Sequence, residues 1–129
     1  MYFSSNALAR KIEKLAQESW KPAGLSPSHA YLLMLALENP GIQPTALTGQ
    51  LQLTPSTITR LIEKLEQQKL VNRSYEGKTT FVYPTAKARQ LQPLLQQCLA
   101  HFYQSYSKVL GKEDSARLVS DMNKVADKL

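Results

Sequence analysis

Three features of this chain predict a mainly α fold with one small β-hairpin. Two short amphipathic segments meet across a tight turn between Gln43 and Arg73, a strand-turn-strand pattern follows at once, and long amphipathic stretches lie at both ends. The expected architecture is a winged helix-turn-helix with N- and C-terminal helices that dimerise.

Thr54 marks the start of the second short helix. Its hydroxyl suits the free backbone N–H groups of an opening helix, Pro55 fits the first helical position, and Ser56 and Thr57 fill the first turn. Ile58, Leu61, Ile62 and Leu65 recur at helical spacing and form an apolar stripe, with Ser56, Thr57, Arg60, Glu63, Lys64 and Gln67 outside it. The spacing predicts a helix from Pro55 to Lys69. A shorter one starts near Pro44 with Ala46, Leu47 and Leu51 inward, and only Gln52 and Leu53 separate the two, the plan of a helix-turn-helix. Gly49 inside the shorter helix costs about 1 kcal/mol relative to alanine.

The hairpin is the next element. Leu70 to Tyr75 reads as one strand and Thr79 to Tyr83 as another, both rich in β-branched and aromatic residues, with Glu76, Gly77 and Lys78 as the turn. Gly77 supplies a positive φ there. Arg73 and Lys78 place positive charge on this wing, near or at its tip.

The outward face of the second helix carries chemistry suited to a major groove. Ser56, Thr57 and Thr59 offer hydroxyls to bases or phosphates, Arg60 can bind guanine O6 and N7 with two hydrogen bonds, and Lys64 suits a phosphate. The plainer reading is a solvated face, since any amphipathic surface helix turns polar residues outward. The preceding helix and the following hairpin favour a DNA-reading unit.

At the ends, Leu8, Ile12, Leu15, Ser19 and Trp20 form one stripe, and Leu91, Leu94, Leu95, Cys98, Phe102, Tyr106 and Val109 another. After a break near Gly111 a third contains Leu118, Val119, Met122, Val125, Ala126 and Leu129. Three long amphipathic helices exceed what a small monomer needs, so pairing of two copies is expected to bury them, the alternative being that they fold back onto the module. Pro93 is expected to kink its helix or remove a hydrogen bond near Arg89. The domain organisation expected is a single domain over residues 1–129, with a winged core at 25–89 and a helical dimerisation region at 1–24 and 90–129.

Charge agrees with a polyanionic partner. The chain carries +6, and from Pro55 to Arg89 seven basic residues stand against three acidic ones, a net of +4 over the reading helix and wing. Each phosphate neutralised releases counterions and adds salt-sensitive affinity. No apolar run approaches the roughly 20 residues that span a bilayer, and no signal-peptide pattern appears, so a cytoplasmic protein without membrane partner is expected. The residues contain no glycine-rich phosphate loop, no metal-ligand cluster and no suggestive carboxylate pair, so neither catalysis nor a cofactor or metal is expected. Cys98 and His101, three positions apart, could form a thiolate pair or metal ligands; the simpler reading is a small buried residue with a flanking histidine.

The motifs LSPSHAYLLMLALENPG, TALTGQLQLTPSTITRLIEKLEQQKLV and VYPTAKA, in this order and at these intervals, resemble the MarR family of bacterial transcriptional regulators. The resemblance runs from about Leu25 to Arg89 by motif and through the remainder by architecture. It implies a homodimer bound to double-stranded DNA at a pseudo-palindromic operator, usually as a repressor, with reading helices in successive major grooves roughly 34 Å apart. It also implies a possible small-molecule effector where the dimer helices meet the winged module, with Trp20, His29, Tyr31, Phe102 and Tyr106 as lining candidates, although the plainer reading of each is ordinary core or interface packing.

The chain departs from the family's pattern in its wing. It lacks the acidic residue and the arginine two positions later that commonly enter a minor groove, Lys78 being the nearest substitute. Gln52 occupies the turn where a glycine is usual, and there is no cysteine near the N-terminus for oxidant sensing. The missing wing arginine, together with Glu63 and Glu66 on or beside the reading helix, leaves one alternative: a winged-helix protein-interaction module or antirepressor that does not bind DNA specifically.

Overall fold

The computed structural model describes all residues from Met1 to Leu129. Six helices and one hairpin follow in the order α1 (Tyr2–Trp20), α2 (Pro27–Glu38), α3 (Pro44–Leu51), α4 (Pro55–Gln67), β1 (Val71–Glu76), β2 (Thr79–Pro84), α5 (Ala86–Leu110) and α6 (Lys112–Lys128), with a 3₁₀ turn at Lys21–Ala23 after α1. The architecture is mainly α with a two-stranded wing. No helix is long and apolar enough to cross a membrane.

Helices α3 and α4 form for the reasons their sequence suggests. The Thr54 hydroxyl accepts from the Thr57 N–H at 3.4 Å, Pro55 opens α4, and Ile58, Leu61, Ile62 and Leu65 are its buried residues. These four pack chiefly against α2 and α3. Burying such a side chain contributes about 1.5–3 kcal/mol each, so the stripe orients α4 far more strongly than its exposed contacts can.

Several boundaries differ from expectation. Helix α4 stops at Gln67, not Lys69, because a Schellman motif closes it. Lys69 turns left-handed (φ 60°), its N–H meets the Glu66 carbonyl at 3.0 Å, and the Leu70 N–H reaches the Leu65 carbonyl at 2.9 Å. That motif places Leu70 before the wing, so β1 begins at Val71. Ala46 is exposed, not inward, and Leu47 alone of α3 is fully buried, since a helix of two turns presents only a narrow strip to its neighbours. Helix α5 runs unbroken through Pro93, though that residue brings no N–H to the Arg89 carbonyl.

Strands β1 and β2 pair antiparallel from Val71 opposite Pro84 to Glu76 opposite Thr79. Glu76 is therefore a strand residue, and the turn is Gly77-Lys78 alone, with Gly77 at φ 61°. Ile42 adds a single bridge on the far side of β2, its carbonyl accepting from the Val82 N–H at 3.0 Å while Gly41 N–H donates to the Val82 carbonyl at 2.8 Å. Gly41 is needed here twice over: its φ is 88°, and an added Cβ would stand 3.1 Å from the Tyr83 hydroxyl.

Thr85 fastens the wing to both neighbouring helices. Its hydroxyl donates to the Lys69 carbonyl at 2.7 Å and accepts from the Ala88 N–H at 3.2 Å, capping α5. Lys87 Nζ adds a bond to the Gln68 carbonyl at 2.9 Å, at the negative end of α4.

At the other end, Trp20 is completely buried where α1, α2 and α5 meet, its ring 5.0 Å from Tyr31 and 5.3 Å from Phe102. Its Nε1–H finds no hydrogen-bonding partner, a loss of about 1–3 kcal/mol for a buried donor. Helix α6 has its main packing partner in α5 and buries only Ser115.

Two backbone positions give a test of this description. Gly49 sits in α3 with open space around its Cβ position, and Gln52 holds a left-handed φ of 54° that glycine adopts without strain. Gly49→Ala and Gln52→Gly are each expected to raise stability by about 1 kcal/mol. Urea denaturation checks both: the midpoint rises with an unchanged slope.

Candidate nucleic-acid interface

The N-terminal half of α4 is a small hydroxyl network with a guanidinium at its end. Thr54 Oγ1 lies 3.3 Å from Ser56 Oγ and 3.0 Å from Thr57 Oγ1, and Arg60 Nη2 donates to Thr57 Oγ1 at 3.3 Å. The cap that starts the helix thus also steadies Thr57, and Thr57 steadies Arg60. This pre-orders a long side chain that loses rotamer freedom when it binds. Thr59 differs, since its hydroxyl donates to the Pro55 carbonyl at 3.0 Å and is partly engaged by its own helix.

Lys64, one turn past Arg60 and exposed, has a neighbour that sequence reasoning did not connect with it. His29 in the first turn of α2 shares a hydrogen bond with the Ser26 hydroxyl, which also caps that helix. Burial first, and the charge of Lys64 second, hold the His29 imidazole below its usual range. His29 is accordingly neutral near pH 7.

The two wing residues separate. Lys78 is exposed at the tip, beside Gly77. Arg73 is not a free tip charge: it lies nearer the base and grips Glu66 of α4, with Nη2 to Oε1 at 2.8 Å and Nε to Oε2 at 3.4 Å. Its side chain is only 24 % exposed. The planar fork of arginine matches a carboxylate in this two-bond fashion, so the pair ties α4 to the wing. Glu66 was legible only as negative charge on the helix; its partner seven residues later in sequence required the fold.

Of the seven sequence-identified residues, Ser56, Thr57, Thr59, Arg60 and Lys64 therefore lie along α4, with Lys78 projecting from the wing and Arg73 bracing it. Lys87, counted among the basic residues of this segment, is likewise engaged with the Gln68 carbonyl. The chain's formal excess of charge overstates what this surface presents freely.

Known proteins share this sequence pattern and this fold. Residues 25–76, from just before α2 through β1, match the model of the MarR family. Over this stretch, about two fifths of its length, the chain is similar to the MarR family. It is 27 % identical over 93 residues to YybA of Bacillus subtilis (strain 168), an uncharacterised HTH-type transcriptional regulator, covering 70 % of this chain and 62 % of YybA. The matched stretch thus spans about three fifths of that relative. The fold matches the S. aureus MepR–DNA complex with a TM-score of 0.84 at 15 % identity, covering 100 % of this chain and 98 % of MepR. It also matches CouR from Rhodococcus jostii RHA1 bound to p-coumaroyl-CoA, with a TM-score of 0.83 at 19 % identity and coverage of 96 % and 89 %.

The chain has a second feature, at its helical end. A cavity of about 350 Å³ is lined by Tyr31 of α2 and by Gln96, Leu99, Ala100, Phe102, Tyr103 and Tyr106 of α5. Of the aromatic lining candidates, Tyr31, Phe102 and Tyr106 are there. Trp20 is not, lying sealed behind Tyr31 and Phe102, and His29 is not, lying beside Ser26 and Lys64. Tyr103 was missed because it falls off the apolar stripe of α5. Cys98 is buried, and His101 Nδ1 pairs with the Ser19 hydroxyl of α1 at 3.0 Å, so the two form no joint site.

The Glu66–Arg73 pair generates a pH prediction. The Arg73 hydrogen bonds hold the Glu66 carboxyl below its ordinary range, against a smaller opposing effect of burial. A lowered folded-state value means that the pair's stabilisation is complete above the ordinary carboxylate range near about 4 and fades as pH falls through the depressed value. Because the pair is partly exposed, its contribution is about 1 kcal/mol or less. Amide NMR shifts of β1 should move in that acid window, and Glu66→Gln should reproduce the same shifts at neutral pH.

Proposed function

We propose that the chain is a dimeric, sequence-specific DNA-binding regulator that acts in the cytoplasm, most simply as a repressor covering a pseudo-palindromic operator. The observation that carries this reading is the Thr54–Thr57–Arg60 network: a helix fixed from behind by its apolar stripe holds a guanidinium and several hydroxyls outward, ready for base edges. Arg60 reads a base, Ser56, Thr57 and Thr59 contact bases or phosphates, and Lys64 and Lys78 contact phosphates. Arg73 contributes indirectly, by setting the wing. The DNA complex of MepR, which shares this fold, supports the same use of the module here.

Dimerisation is supported by what the fold leaves uncovered. Only 24 of 129 residues are buried, too few to anchor every helix, and Leu118, Val119, Met122 and Val125 of α6 are each 39–45 % exposed. On α1, Leu8 and Ile12 show the same half-exposure. Apolar stripes on both terminal helices suit a second copy, and a two-fold pair sets the reading helices about one DNA turn apart. A ligand in the cavity between α2 and α5 would then release DNA by favouring a spacing unfit for the operator. The bound p-coumaroyl-CoA of CouR supports an effector of some kind in this chain. The protein-interaction alternative weakens once Glu66 is seen to be neutralised by Arg73, since Glu63 is then the remaining acid on α4.

Binding to duplex DNA should fall steeply with salt. Arg60→Ala should cost about 1–3 kcal/mol and relax specificity at one base of each half-site, while Lys64→Ala should lower the salt slope by about 1 without changing specificity. Arg73→Ala should leave the salt slope nearly unchanged, and fluorescence anisotropy at several salt concentrations measures all three. Undetectable binding of genomic fragments at low salt would refute the DNA-binding reading. For the dimer, Met122→Glu should shift the sedimentation coefficient from that of a pair to that of a single chain.

A further inference from the structure

We propose that the cavity between α2 and α5 is an aromatic cage for an organic cation, specifically a quaternary ammonium group carrying an apolar or aromatic substituent. This rests on the reading of the helical end as an effector site and names the ligand's chemistry. The chain has ten aromatic residues, six Tyr, three Phe and one Trp, and five of them gather at this one place. Tyr31, Trp20, Phe102, Tyr106 and Tyr103 form a continuous series with ring centroids 5.0, 5.3, 5.2 and 5.5 Å apart, at interplanar angles of 51–83°. Four of the five line the cavity, and because the rings are steeply inclined to one another they cannot simply stack into a flat wall.

The chemistry of the lining selects among ligand charges. A ring face is negative, and a cation within about 6 Å of the centroid is attracted to it, the more so where water is excluded. The remaining lining residues are Gln96, Leu99 and Ala100, with no Lys, Arg or His. A carboxylate entering here would find only an amide and phenol hydroxyls, and no fixed positive charge to offset its desolvation. Burial raises the phenols of Tyr31 and Tyr106 above their usual range, so both remain neutral rings at physiological pH. No carboxylate lines the cavity either, which leaves ring faces as the source of attraction and makes the aromatic count the quantity to test. A volume of about 350 Å³ suits a ligand of one or two rings, at the lower end of ordinary ligand pockets.

The single tryptophan supplies the readout, since Trp20 packs on two lining rings. The full chain is titrated with phenyltrimethylammonium, with its uncharged isostere tert-butylbenzene, and with benzoate, following Trp20 fluorescence. The cation is expected to give a saturable change with an affinity at least about fivefold above that of tert-butylbenzene, and higher still relative to benzoate. Tyr106→Phe should keep this preference, and Tyr106→Leu should reduce it to about twofold or less. Should Tyr106→Leu fail to fold by circular dichroism, Tyr103→Leu at the exposed mouth is the substitute, with the same loss expected. Equal or tighter binding of tert-butylbenzene or benzoate overturns the cage, as does the absence of a saturable response to all three. DNA binding by the ligand-free protein is measured alongside: retained DNA binding without cation preference defeats the cage alone, and cation preference without DNA binding defeats the reading head alone.

Discussion

Burial of Ile58, Leu61, Ile62 and Leu65 is the constraint on which the outward face of α4 depends. A helix of 13 residues has no stable orientation of its own in water, and its few exposed polar contacts are too weak to give it one. Four apolar side chains against α2 and α3 settle which residues face inward, and so which face outward. Ser56, Thr57, Arg60 and Lys64 are outward because the stripe is inward. The Thr54 cap, the Schellman stop at Lys69 and the Glu66–Arg73 pair then refine where the helix starts, where it ends and how the wing stands beside it.

Much of this was legible in the sequence because it is local chemistry. Thr54-Pro55 is a helix start whatever surrounds it, and apolar spacing of three and four residues gives a face without any knowledge of the fold. What escaped was non-local or geometrically marginal. Arg73 reads as a free wing charge until the hairpin folds it back on Glu66, and Lys69 reads as the last residue of α4 until its left-handed φ ends the helix. Ala46 follows the helical period inward, yet α3 is too short to bury it. At the cavity, stripe membership found Tyr31, Phe102 and Tyr106 but also promoted Trp20 and His29, because period alone does not tell a wall from what lies behind it.

The two ends of the molecule are built on opposite principles. The winged core is held by long-range contacts of α2, α4 and the hairpin, closed by Thr85 and by the Ile42 bridge. The terminal helices are long, thinly packed and half-exposed along their apolar faces. Helices α2 and α5 belong to both, since α2 supports α4 on one side and contributes Tyr31 to the cavity on the other. A shift of α5 against α2 would therefore be felt at both ends of the molecule.

The central claim, that the face of α4 reads sequence, is tested most directly by selecting ligands for the full chain from a pool of random duplex DNA. The expected result is an enriched inverted repeat whose half-sites lie about one helical turn apart, and a repeat selected by Arg60→Ala that has lost its preference at one base in each half. Enrichment of no motif, or a motif that Arg60→Ala selects unchanged, would contradict it.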